Sequence, residues 1–438
     1  MAKAAHFKVG KDHMNIEEAF DEICKLPTNV DKTIEIVGDL VLDGPIELSS
    51  HDSGLTLLGG RIIGGVRLDK WETDPRDGRF VRAKLPEGAT PRSLSINGTA
   101  RRIAVYPADG FLKLNDEPEN LKWLNSVNGG WNRALTDYEL THVHMDPDNI
   151  PIGAIDGSAE IRVYHSWDES TVPIKSIDRL RGEITLCSPM THPAGTFGKK
   201  DVQFINIREG MTACGTWYFD AAEGYVYYYP ENDEQIISAV IPVQERLIRI
   251  KGSRNITIRN TELSDCSTPR VSSGLRSANL GGVIEIENSE RIFLSGLNIH
   301  DASGHGIKLT GVKGHRIENC KIYNMGGGGI FTHASEDEEI SGNEITDIGL
   351  FAYSSVGIHA GGRSMLVWVL EGKPRERGKT VIRGNRVERA PYCAITCNGR
   401  GHVIEDNTVV DFMQRLHDGA GSMKGLSTTG REKACTRL

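Results

Sequence analysis

Between Asn255 and Met423 the apolar positions fall into one short phrase written six times. It occurs as IRNTEL (Ile258–Leu263), LSGLNI (Leu294–Ile299), IENCKI (Ile317–Ile322), ISGNEI (Ile340–Ile345), IRGNRV (Ile382–Val387) and IEDNTV (Ile404–Val409). Each has an apolar first and sixth residue and an Asn or Gly at its third or fourth place. The start-to-start steps are 36, 23, 23, 42 and 22, so the unit is 22–23 residues and two units carry insertions. A second apolar motif follows inside every unit: VIEI (Val283–Ile286), GIKL (Gly306–Leu309), GIFT (Gly329–Thr332), GIHA (Gly357–Ala360), AITC (Ala394–Cys397) and AGSM (Ala420–Met423).

Self-similarity at this period marks a solenoid. Strands of three to five residues separated by Gly, Asn and Asp turns leave no room for a helix of 10–12 residues, which disfavours leucine-rich repeats. A β-sandwich with regularly spaced strands would not keep six repeats in phase. The pattern predicts an all-β fold, a right-handed parallel β-helix. Each coil buries its apolar residues under the next, about 4.8 Å per rung.

The organisation follows from where the beat holds. Residues 1–65 read as an N-terminal cap and first coils. A short amphipathic helix at Asn15–Lys25 has Ile16, Ala19, Phe20 and Ile23 on one side, and four short β-runs follow in Ile34–Gly65. Residues 66–241 lose the beat and alternate as strands do, most visibly in YVYYYP (Tyr225–Pro230), which predicts an inserted β-rich domain. The main β-helix spans 242–423 and a tail 424–438. No capping element is recognisable there, so the last rung is an edge through which a homo-oligomer could form.

Composition narrows the partners. A net charge of −8 with no basic block speaks against nucleic acid, and no apolar run reaches the length of a membrane helix. The eight cysteines show no CxxC pair, so neither a metal nor a cofactor is implied, and this many unpaired thiols suits a reducing compartment. With no apolar leader visible in MAKAAHFKVGKDHMN, the expected location is cytoplasmic, or secreted if a leader has been removed.

Function on a solenoid sits where coils are interrupted. The turn between first and second motifs is enlarged at Ser264–Gly282, Asp347–Val356 and Val410–Gly419, and the opposite turn once, at Gly361–Lys379. Seven places after each first-motif start stand Asp265, Asp301, Asn324, Asp347, Arg389 and Asp411, a column on the enlarged-turn side. Asp301 and Asp347, two rungs apart, would be about 9–10 Å from each other. Paired carboxylates about 5–10 Å apart are what glycoside hydrolysis needs. Asp and Asn at a repeated turn also bond to nearby backbone amides for purely structural reasons, the commoner case for any single member. Asp418, in RLHDGAG, ends an enlarged turn outside the column. His305 and His417 could support acid–base work, Arg389 could hold a carboxylate ionised or grip a sugar hydroxyl, and Tyr353, Tyr392 and His359 could stack on sugar rings. The expected partner is an oligo- or polysaccharide.

Three segments resemble a known family. GTWYFDAAEGYVYYYP (Gly215–Pro230), RIAVYPADGF (Arg102–Phe111) and VERAPYCAITCNGRGHVIEDNTVVDFMQRLHDGAG (Val387–Gly421) are similar to signature segments of family 141 glycoside hydrolases. Those are retaining β-helix enzymes that include α-L-fucosidases and xylanases. The resemblance implies a glycosidase in which Asp418 matches the second Asp of the family's DDAGA motif, and His402 the His of its GNDH motif. It also shows departures: Arg389 replaces an Asp, Tyr392 a His, Gly401 an Asp, and His417 the first Asp of DDAGA. The family's chains continue for several coils beyond this one. Three readings stand: a glycosidase using Asp418 with Asp347 or Asp301, a lyase acting on a uronate, and a glycan-binding β-helix without catalysis.

Overall fold

The computed structural model describes residues 4–27, 30–124, 130–155, 158–268, 277–361, 379–398, 402–417 and 419–425. The chain divides into two compact units, one of residues 1–66, 242–269 and 280–438 and one of 67–241 and 270–279.

The first unit is a parallel β-helix with three strands per coil. One sheet stacks Ala4–Val9, Asp31–Ile36, Leu55–Leu58, Thr257–Arg259, Phe293–Ser295, Arg316–Glu318, Glu338–Ser341, Thr380–Arg383 and Val403–Glu405. A second sheet runs from Asp39–Val41 through Arg61–Ile63, Glu262–Cys266, Asn298–Ala302, Lys321–Met325, Glu344–Thr346 and Arg386–Glu388 to Thr408–Val410. A third sheet runs from Ile46–Leu48 through Ile248–Lys251, Gly282–Glu287, His305–Thr310, Ile330–His333, Ile358–Gly361 and Ile395–Asn398 to Ser422–Gly425.

The six-residue phrase therefore spans two strands and the corner between them. Its first residue points inward from the first sheet, where Ile258, Leu294, Ile317, Ile340, Ile382 and Ile404 follow in register. Its sixth points inward from the second sheet, where Leu263, Ile299, Ile322, Ile345, Val387 and Val409 follow likewise. The third place is the corner, and every occupant is left-handed: Asn260, Gly296, Asn319, Gly342, Gly384 and Asp406 have φ of 52°, 60°, 54°, 66°, 63° and 54°. Only Gly, Asn and Asp take that conformation at low cost, which explains the residue types there.

At the fourth place Asn343, Asn385 and Asn407 form a buried ladder. Asn343 Nδ2 donates to Asn385 Oδ1 and Asn385 Nδ2 to Asn407 Oδ1, both at 2.9 Å. The same amides also bond the backbone of the coils beside them. The ladder satisfies corner groups that the sheets cannot reach.

The helix is Ile16–Cys24, capped reciprocally by Asn15 and Glu18. Ile16, Ala19 and Ile23 enter the same continuous core as the coils, and Phe20 packs against it. The strand Ala4–Val9, not foreseen from the repeat, pairs in parallel with Asp31–Ile36 and forms one edge of the first sheet.

The second unit is largely antiparallel. One sheet contains Val105–Tyr106, Asp201–Ile205, Glu160–Tyr164, Glu169–Asp178, Glu183–Leu186 and His142–His144, over a core that includes Ile161, Val163, Val172, Ile184, Val202 and Phe204. Another contains the hairpin Thr216–Asp220 and Tyr225–Tyr228, and its Tyr218 and Tyr227 rings stack at 4.9 Å. Among the described residues, no helix is long and apolar enough to cross a membrane.

Candidate functional site

The column is a second corner, where the second sheet ends and the turn to the third begins. Asp265, Asp301, Asn324, Asp347, Arg389 and Asp411 all lie in the left-handed region, with φ of 60°, 54°, 53°, 52°, 54° and 52°. Asp and Asn are thus partly a backbone requirement here. Arg389 is the exception, since a long side chain gains nothing from that conformation. Chemistry has to be judged from what each side chain meets.

Two polar clusters occupy this corner. In the first, Asp301 is buried, its Oδ2 2.8 Å from His300 Nδ1 and its Oδ1 accepting from Asn324 Nδ2 at 3.2 Å. His300 Nε2 lies 3.2 Å from Glu262 Oε1, which Arg61 Nε approaches at 3.0 Å. One imidazole thus sits between two carboxylates, stacked on the Tyr323 ring at 4.9 Å. Burial disfavours the imidazolium, yet the flanking Asp301 and Glu262 outweigh it and raise the His300 pKa. Asp265, one coil earlier, accepts from Ser264 Oγ at 2.7 Å.

In the second cluster Arg389 grips Asp347 with both arms, Nε to Oδ1 at 2.6 Å and Nη2 to Oδ2 at 2.7 Å. Its remaining Nη1 donates to Glu388. The Arg389 guanidinium holds the Asp347 carboxyl below the ordinary carboxylate range against the effect of its partial burial. Asp347 is therefore ionised at neutral pH and able to act as a base, a nucleophile or a stabiliser of positive charge, but not as an acid. The pair bridges adjacent rungs, because Glu344–Thr346 and Arg386–Glu388 are hydrogen-bonded neighbours despite the 42-residue step between their phrases.

The enlarged turn after Asp347 lies directly on the preceding coil. Leu350 N donates to Met325 O at 3.0 Å, and Phe351 and Ala352 both donate to Gly326 O, at 3.1 and 2.8 Å. Glycine is needed for that approach: a Cβ on Gly328 would stand 2.4 Å from Val356 O. Leu280, Phe351 and Ala352 form a small apolar cluster between two enlarged turns.

The remaining expected site residues are placed differently from one another. His305 is fully buried, accepts the Gly328 N–H on Nδ1 at 3.0 Å and stacks on Phe331 at 5.1 Å. His359 is also buried, with Nδ1 2.8 Å from Thr396 Oγ1 and its ring 4.8 Å from Phe331. Both rings belong to packing on the third sheet rather than to a sugar-facing surface. Tyr392 is likewise enclosed. Tyr353 is half-buried and carries the Arg415 guanidinium 5.5 Å from its ring centroid. His417 is exposed, and His402 is buried with Nε2 3.1 Å from Asn398 O. Asp418 lies outside the described residues.

Sequence reasoning passed over Glu262, His300 and Glu388. His300 and Glu388 stand one residue before the column, in register with Ser264, Tyr323 and Thr346. That register was the available signal, because side chains at equal offsets in successive coils touch. Among the described residues, one group converges three ligand atoms for a metal: His165, Asp168 and His192, all in the second unit.

A family model described as a right handed beta helix region matches residues 226–408. No curated protein sequence matches the chain. Among solved structures, a glycoside hydrolase superposes with a TM-score of 0.61 at 14% identity, covering 97% of this chain and 96% of its own. XylC, solved in complex with xylose, superposes with a TM-score of 0.50 at 14% identity, covering 93% of this chain and 63% of its own. At these identities the likeness is one of fold, and the fold is the parallel β-helix read from the repeat.

Proposed function

We propose that the chain is a glycoside hydrolase that cleaves a glycosidic bond on the enlarged-turn face of its β-helix. The observation that carries the reading is the Asp347–Arg389 grip. A carboxylate kept ionised by a bidentate guanidinium, on a corner walled by lengthened turns, is one half of the pair that glycoside hydrolysis requires. Asp418 is assigned the other half, the proton donor, and Asp301 is a buried carboxyl group two rungs away that orders His300. The full-length fold likeness to a glycoside hydrolase, and the likeness to a xylose-bound protein, support this substrate class. An α-L-fucoside or xylan substrate is the finer form of the proposal, on the resemblance to family 141.

Steady-state kinetics on Asp418→Asn, Asp347→Asn and Asp301→Asn test it. The first two are expected to lower kcat/KM by about a hundredfold or more, as removal of a group acting in the transition state does. Wild-type activity in Asp347→Asn would remove that residue from the chemistry.

One observation favours a second reading. Both described carboxylates are already engaged, Asp301 by His300 and Asn324 and Asp347 by Arg389, which suits a glycan-binding surface without catalysis. The lyase reading loses its support, because the guanidinium that would neutralise a uronate is committed to Asp347 and Glu388.

A further inference from the structure

We infer that His165, Asp168 and His192, in the second unit, form a binding site for a divalent transition cation of the zinc type. His165 and Asp168 close the hairpin between Glu160–Tyr164 and Glu169–Asp178: Tyr164 pairs with Glu169, and the His165 N–H donates to Asp168 O at 3.0 Å across Ser166–Trp167. That short turn holds the two side chains next to each other whether or not an ion is bound. His192 arrives from the segment after Glu183–Leu186, where the Thr191 N–H donates to Ser170 Oγ at 2.9 Å.

Three observations point to a cation. First, the ligand atoms already converge, all within 4.8 Å of one another, with His192 Nδ1 and Asp168 Oδ1 at 3.2 Å. Two ligands on one tetrahedral zinc, at about 2.1 Å each, lie about 3.4 Å apart. The Asp168–His192 separation of 3.2 Å is close to that distance, and the whole group, within 4.8 Å, has to contract only modestly around an ion.

Second, the buried atoms at the centre lack directed hydrogen bonds. His165 and Asp168 are buried, and neither His165 Nδ1 nor either Asp168 oxygen has a well-directed hydrogen bond among the described residues. A carboxylate so placed is costly unless a cation meets it. The polar side chains set against it are those of His192, with Nδ1 3.2 Å from Oδ1, and Thr191.

Third, the outer contacts orient His165 as a ligand. Its Nε2 lies 3.2 Å from Ser170 Oγ, which accepts the Thr191 N–H and has its own proton available for Thr191 Oγ1 at 3.0 Å. Ser170 is then an acceptor for the His165 Nε2–H, and Nδ1 keeps a bare lone pair toward Asp168. Metal-bound histidines are fixed in this way. By contrast, both ring nitrogens of His144 are already taken, by Asp116 at 2.7 Å and Glu183 at 3.2 Å.

Aromatic rings shield the group. Trp167 lies 5.7 Å from the His192 ring, Trp131 6.0 Å and Phe197 5.6 Å. Two imidazoles and a carboxylate suit zinc or its neighbours better than calcium, and three protein ligands leave a fourth position for water.

The test is titration of the chelator-treated full chain with Co²⁺ and then Zn²⁺. The expected result is uptake of one equivalent, a visible d–d band of four- or five-coordinate intensity that Zn²⁺ abolishes, and quenching of tryptophan fluorescence by Co²⁺ through Trp167. Asp168→Asn and His165→Gln, checked for folding by circular dichroism, should each weaken binding at least about a hundredfold, because loss of outer-shell contacts alone costs 10- to 100-fold. If either variant fails to fold, the wild-type cobalt band and quenching decide. No stoichiometric uptake by wild type, or unchanged uptake in folded Asp168→Asn, overturns the assignment.

Discussion

Asn385→Leu removes the middle of the asparagine ladder while keeping the side chain's branching and number of heavy atoms. Asn385 Oδ1 accepts from Asn343 N at 3.0 Å and Asn343 Nδ2 at 2.9 Å, and its Nδ2 donates to Ile340 O and Asn407 Oδ1, both at 2.9 Å. Asn343 and Asn385 are each 1% exposed, so water cannot replace what is lost. Leucine leaves two donors of Asn343 buried without acceptors. At about 1–3 kcal/mol each, the cost is about 2–6 kcal/mol, a large share of a typical domain stability of about 5–15. Asn407→Leu strands donors of the same kind, Asn385 N and Nδ2, which are equally buried, so a loss of similar size is expected there although Asn407 itself is only partly buried. Urea unfolding followed by circular dichroism measures the difference from wild type. Hydrogen–deuterium exchange on peptides covering residues 338–345 localises it, with faster exchange at the Asn343 amide. A loss under about 1 kcal/mol with that amide still protected would refute the claim that the ladder stabilises the corners.

Two further outcomes follow from the site. Arg389→Asn places a residue that tolerates the left-handed corner where arginine is strained, while removing a half-exposed ion pair worth at most about 1 kcal/mol. Thermal denaturation should therefore move little, whereas the acidic limb of any pH–rate profile should rise as Asp347 loses its guanidinium; a fall in Tm of ten degrees or so would show that the pair is structural. The depressed Asp347 pKa adds stability above the unfolded value of about 3.9 that is lost as pH falls through the folded pKa, so the two proteins should converge in acid. His300 works in the opposite sense. Its raised pKa adds stability fully present below about 6.5 and lost as pH rises through the folded value. Wild type should therefore lose stability relative to His300→Gln from about pH 6 to pH 9 in differential scanning fluorimetry, and parallel curves would contradict the flanking role of Asp301 and Glu262.

The coil was legible because burial repeats once per turn of the solenoid. Ile258, Leu294 and Ile317 occupy equivalent places whatever the length of the loops between them. The candidate column was legible as a position but not as chemistry. The left-handed corner selects Asp and Asn on backbone grounds, so residue type alone cannot separate Asp411, which is exposed, from Asp301, which is locked in place. Pairings across rungs were legible only as a shared register: Arg389 stands 42 positions from Asp347 and His300 38 from Glu262, and residue type does not say which neighbours in the register engage. His305 and His359 sit near loops in the sequence, yet both are buried on the third sheet with their rings against Phe331, which the repeat gave no means to foresee. The His165–Asp168 hairpin lay in the stretch without a beat, where no periodicity drew attention to HSWD.

The central claim is most directly tested by incubating the wild-type chain with aryl α-L-fucosides, aryl β-xylosides and plant cell-wall polysaccharides, reading both reducing-end release and ultraviolet absorbance. Release of reducing sugar without a 4,5-unsaturated product is the predicted result. Absorbance from an unsaturated product would make it a lyase, and silence on every substrate together with measurable glycan binding would make it a binding protein; either would contradict the account.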